Sequence, residues 1–140
     1  MNQKHVPDLE LCQELDRLCK EKNITLPETE YIWLKWKHHE EPWLLSKSEE
    51  AFYQEQGAKK PEWTIPAPLA SEQGECLPVS VQISWHKEGE WVCETFGARA
   101  WYEDGGNYPP KAPSFKSNTE ANARQKMINH LIAEGIITKL

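Results

Sequence analysis

The sequence predicts an α+β fold: two helix-hairpin units whose strands join in one four-stranded antiparallel sheet, with the helices packed on one face, in the order αββαββα. Three observations predict it. Apolar residues recur at helical spacing near both ends of the chain. They alternate at strand spacing in two stretches between turn residues. A helix–strand–strand order also occurs twice. A lone two-stranded ribbon is marginal in water, so joining the hairpins beneath the helices is the simplest way to bury both.

The elements follow in chain order. In 7–22, Leu9, Cys12, Leu15, Leu18 and Cys19 fall at steps of three and four, with Pro7 in the first turn and Lys20 and Lys22 at the end that favours cations. From 30 to 37, Ile32, Leu34 and Trp36 alternate with Tyr31, Trp33 and Lys35. Trp43-Leu44-Leu45 returns as the partner strand, giving a hairpin over 30–46. Residues 46–63 read either as a short helix or as a loop. Pro66 and Pro68 open a weak helix near 67–76, in which Gly74 costs about 1 kcal/mol relative to alanine. The second hairpin spans 79–102. Its turn, Lys87-Glu88-Gly89, reads as a three-residue loop that sets Trp85 opposite Trp91 and His86 opposite Glu90. Residues 103–114, rich in glycine and proline, form a loop. The closing helix spans 117–137 with its caps. Ser117 and Glu120 read as a capping box, Ala121, Arg124, Met127, Ile128, Leu131 and Ile132 follow at helical spacing, and Gly135 stops it. A chain of 140 residues is read as a single domain over 1–140, with 7–46 and 66–102 as its two helix-hairpin units.

Composition excludes several function classes. The 16 basic side chains are outnumbered by 22 acidic ones, for a net charge of -6, which is the wrong sign for gripping a phosphate backbone over a broad face. No stretch is apolar enough to span a membrane, and the start shows neither an apolar core nor a cleavage site of a secretory signal. A cytoplasmic location is therefore expected, and the four cysteines (Cys12, Cys19, Cys76 and Cys93) are expected as buried, reduced thiols without a metal.

No catalytic signature stands out. His38, His39 and His86 lie in hairpin turns beside Glu40, Glu41, Glu88 and Glu90, but without the spacing of a metal site they read as solvated turns. Cys93 and His86 could meet across the second hairpin as a nucleophile and its base, yet core burial of the thiol is the stronger reading. No phosphate-binding glycine loop or nucleophile elbow is present. The expectation is a non-enzymatic protein with no cofactor.

Seven tryptophans are the compositional outlier. Tryptophan concentrates binding energy at interfaces as readily as it fills cores. The first strand is apolar on both faces, and only one is needed for the helices. The other requires cover from residues 46–63, from a second copy of the chain or from a partner. Tyr31, Trp33, Trp43, Trp63 and Trp101 are the candidate binding residues. A protein partner is expected ahead of nucleic acid, which would use the same aromatic sheet face to stack bases. The charge around the exposed tryptophans separates the two: an acidic rim favours protein, a basic rim favours phosphate.

Pro66-Ala67-Pro68, Leu77-Pro78, Trp91 and the run from Thr119-Glu120-Ala121 to Gly135-Ile136-Ile137 carry a resemblance. The pattern resembles a set of short uncharacterised proteins of bacteriophages, prophages and bacterial mobile elements, and covers residues 26–137. It departs from them at Gln73-Gly74, where they place apolar residues. The resemblance implies genomic context and fold. It also implies that such a protein acts as an accessory factor, binding and inhibiting or redirecting a host or defence protein.

Overall fold

A computed structural model describes residues 5–77, 83–94 and 114–140. Among these residues the chain runs α1 (Leu9–Lys22), β1 (Tyr31–Lys35), β2 (Trp43–Ser46), α2 (Lys47–Glu55), β3 (Trp63–Ala67), α3 (Ala70–Cys76), β4 (Ile83–Lys87), β5 (Glu90–Glu94), β6 (Ser114–Ser117) and α4 (Glu120–Ala133). The class is α+β, as expected. The single four-stranded sheet is not formed. Instead each hairpin acquires a third strand of its own, giving two antiparallel sheets in the orders β2-β1-β3 and β4-β5-β6. Their connectivity differs: the first strand of the hairpin is central in one sheet and the second in the other. The repeated helix–strand–strand order is thus the same local solution reached twice.

Two strands that sequence reasoning missed cause this correction. β3 contains Pro66, which reads as a helix opener. Among the described residues it is an edge strand paired with β1 alone, Ile32 opposite Pro66, and an edge tolerates a residue that cannot donate to the ladder. β6 takes Ser117 out of its expected capping role. The N-cap of α4 is Thr119, whose hydroxyl accepts from the Asn122 N–H at 3.1 Å. The C-terminal end matches expectation: Gly135 has φ +76°, and the Gly135 and Ile136 amides donate back to the Ile132 and Leu131 carbonyls. The expected continuation of β5 to residue 102, residues 103–113 of the expected 103–114 loop and the start of the second hairpin at 79–82 lie outside the described residues, while Ser114, expected to end that loop, opens β6.

The second hairpin turn is also corrected. Lys87 pairs with Glu90, leaving the two-residue turn Glu88-Gly89, with φ of 53° and 83°. Both positions are left-handed, as the hairpin turn matched to strand twist requires. The register is therefore His86 opposite Trp91 and Trp85 opposite Val92, one residue away from the expected pairing.

α1 and α4 lie between the two sheets, whereas α2 lies on the far side of the first. α4 packs on β4, β5 and β6 and on α1 and α3. Leu15, Leu18 and Cys19 of α1 meet Ala123, Met127, Leu131 and Ile132 of α4 and Cys93 of β5 in the main core. The other flank of α1 presents Leu9 and Cys12 to Trp33, Ile65 and Ala67 of the first sheet. Enclosed on several sides, α4 buries Asn122, Gln125 and Asn129 as well as its apolar residues. Those amides are paired: Gln73 Nε2 donates to Gln125 Oε1 at 3.0 Å, Gln125 Nε2 to Asn129 Oδ1 at 2.8 Å, and Asn129 Nδ2 to the Leu11 carbonyl at 3.1 Å. One chain of hydrogen bonds so ties α3, α4 and α1 together. No helix among the described residues is long and apolar enough to cross a membrane.

Candidate functional site

The face of the first sheet turned away from α1 carries Ile32, Leu34, Trp36, Leu45 and Trp43. Antiparallel pairing puts Ile32 opposite Leu45 and Leu34 opposite Trp43, so these residues form one apolar surface. α2 begins where β2 ends. Ser46 caps it reciprocally, accepting from the Glu49 N–H at 3.2 Å while its own N–H donates to the Glu49 carboxylate at 2.9 Å. No residue of α2 is buried, but Tyr53 reaches back to the sheet with its ring 6.2 Å from Trp36 and 5.8 Å from Trp43. After α2, the Ala58 N–H donates to the Tyr53 carbonyl and the Glu62 N–H to the Lys35 carbonyl, and Glu62 also pairs with Lys35. Lys59 and Lys60 are held between these two anchors.

The result is a cleft of about 470 Å³, within the size range that holds one small ligand. Trp36, Trp43 and Tyr53 supply its aromatic wall, and Lys37, His38, His39, Lys59 and Lys60 its polar lining. His39 lies against Trp43 at 4.9 Å. The lining contains no carboxylate, and Lys37, Lys59 and Lys60 form no ion pair among the described residues. Three aromatic rings also suggest a cage for a quaternary ammonium group. Here the rings touch one another edge to face, with centroids 5.8–6.2 Å apart, and leave no space between them for a cation. The three lysines repel one as well. The chemistry left to this cleft is a flat, apolar group against the rings and negative charge against the rim. Trp36 is 7% exposed, and its indole N–H is buried without a hydrogen-bond partner, a polar cost within the wall of the cleft.

The five candidate residues do not share a surface. Trp43 lines the cleft. Trp33 is buried on the α1 face, where its indole N–H donates to the Pro7 carbonyl at 3.1 Å. Tyr31 and Trp63 pack half-buried around the same cluster, and Trp101 lies outside the described residues. Sequence reasoning missed Trp36, Tyr53 and the lysines as site residues and set His38 and His39 aside as a solvated turn. One signal could have found them: Ser46 followed by Glu49 is a capping box, and a helix there carries Tyr53 and the Lys-Lys pair back toward the turn.

A second cavity of about 420 Å³, lined by Trp91, Thr119 and Glu120 among others, includes a carboxylate and only His5 as a potential cation. The cysteines are free thiols. Burial pushes Cys12 and Cys93 up to about 12 and Cys19 up to about 11, and raises Cys76 as well. No group of three His, Cys, Asp or Glu side chains among the described residues could hold a metal ion. No family model, curated protein or solved structure matches the chain.

Proposed function

We propose that the protein is a non-catalytic binding module whose cleft takes a nucleobase-bearing anion, either a nucleotide or a stretch of single-stranded nucleic acid. One observation carries the reading: in a chain of net charge -6, three lysines without an ion pair among the described residues converge on an aromatic wall with no carboxylate in the lining. Bases stack on such rings whatever their identity, and lysine supplies a point charge for phosphate. The basic rim favours this reading over a protein partner. Thiols held protonated by burial are poor nucleophiles, which supports binding without catalysis.

The test is calorimetric titration of the intact chain with adenosine triphosphate and with a short oligodeoxyadenylate. At least one is expected to bind, and Trp43→Ala is expected to weaken that binding roughly tenfold to a hundredfold, the worth of about one stacked base. Failure of both probes, or binding indifferent to Trp43→Ala, defeats the reading. Phe52 and Tyr53, 56% and 37% exposed on α2, favour a protein contact at the same edge as the second reading.

A further inference from the structure

We infer that the occupant of the cleft is a free nucleotide with a short phosphate chain and not a nucleic-acid strand. This rests on the aromatic-cleft reading above and narrows it. Two independent observations separate the ligands.

The first is the extent of the positive charge. Lys37, Lys59 and Lys60 are concentrated at the cleft, but the segment that builds it, residues 36–62, carries four lysines against six glutamates. Exposed Glu40 and Glu41 follow the His38-His39 turn, and Glu49, Glu50 and Glu55 lie along α2. A strand leaving the cleft in either direction along this segment meets carboxylates, whereas a few phosphates on one nucleoside stay within reach of the lysines. Binding a strand without sequence preference needs a basic groove that tracks the backbone over several nucleotides, and net charge -6 opposes a polyanion from a distance as well.

The second is ring geometry. The aromatic contacts in and beside the cleft are all edge to face, with interplanar angles of 62–81° and centroids 4.9–6.2 Å apart. Rings crossed in this way do not present successive parallel platforms for consecutive bases. They leave room against the wall for one.

The experiment is calorimetry on the full chain with four probes: adenosine triphosphate, adenosine, inorganic tripolyphosphate and an octadeoxyadenylate. Adenosine triphosphate is expected to bind about tenfold more tightly than each of the other three, because only it places one base and a compact charge together. The double change Lys59→Gln, Lys60→Gln is expected to remove roughly that tenfold advantage of the triphosphate over adenosine. An octamer that binds as tightly as the nucleotide, with Trp43→Ala weakening it, overturns this inference and leaves the cleft reading standing. Tripolyphosphate binding as tightly as the nucleotide overturns the inference, since the rings then contribute nothing. Silence from all four probes overturns both. Thermal melts of the lysine and tryptophan variants confirm that a lost signal comes from a folded chain.

Discussion

Glu88 is a residue whose conformation its own chemistry disfavours. A side chain with φ +53° in the left-handed region costs roughly 1–2 kcal/mol when it is not glycine or asparagine. The cost is offset because the two-residue turn sets the face of β5: Trp91 and Cys93 pack on the main core, with Phe115 of β6 opposite Cys93. A three-residue loop would slip β4 against β5 by one position. Glu88→Asn, which suits the left-handed position before glycine, is expected to raise stability by about 0.5–1 kcal/mol in a urea titration. A loss of stability would mean that the Glu88 side chain contributes a contact outweighing the backbone strain. The three-residue reading was natural, because Lys-Glu-Gly-Glu lacks the asparagine or aspartate that announces the shorter turn. Only packing on both sides of β5 selects it.

At the scale of elements, α2 decides whether the cleft exists. It buries no residue, so its stability comes from its cap, from Tyr53 against the two tryptophans and from the anchors on either side of Lys59 and Lys60. Ser46→Ala is expected to cost about 1 kcal/mol and to weaken ligand binding along with helicity. Unchanged circular dichroism and unchanged binding would show that the cap is dispensable. The cap also carries a pH dependence. The Ser46 backbone N–H, and then its hydroxyl, hold the Glu49 carboxyl below the usual carboxylate range. The contribution of the cap is therefore present above the ordinary glutamate value and is lost as pH falls through the lowered value. Melts of the parent chain and of Glu49→Gln should converge in acid and separate toward neutrality. α3 shows a different constraint. A Cβ on Gly74 would lie 3.0 Å from Arg124 Nη1, which donates to the Ala70 carbonyl at 2.6 Å. An apolar side chain at this position would press on that guanidinium, which would have to give by a few tenths of an ångström.

The whole molecule is held by its central helix, and both of its bonding regimes are testable. Gln125 receives from Gln73 and donates to Asn129 Oδ1, so Gln125→Leu leaves that side-chain amide oxygen without its partner in the core. The expected cost is about 1–3 kcal/mol, read as a lower urea midpoint with an unchanged slope. No shift in the midpoint would mean that water or rearrangement satisfies the seam. The thiols bear on alkaline stability. Unfolded cysteines ionise above their ordinary value of 9.0, while Cys12 and Cys93 stay protonated until about 12 and Cys19 until about 11. Their contribution is intact below 9 and falls away between 9 and 12 as the unfolded state sheds protons that the folded state keeps. Cys12→Ala should flatten that decline, measured as stability against pH, and an equally steep decline would assign it to other groups.

Features that neighbours along the chain settle could be read without coordinates. The 3–4 spacing of α1, the apolar stretch and glycine stop of α4, the alternation of β1 and the α+β class were all legible, because local spacing and capping chemistry specify them. Tertiary structure decided the rest. Pro66 sits in a strand because an unoccupied edge of β1 accepts it. The hairpins stay in separate sheets because β3 and β6 pair with β1 and β5. Trp33 becomes an anchor on Pro7, whereas Trp36 and Trp43 line a cleft, because α1 covers one face of the sheet and α2 only part of the other. Lysines near 37 and 60 come together only when the chain between them folds back, and no local pattern of charge announces that return.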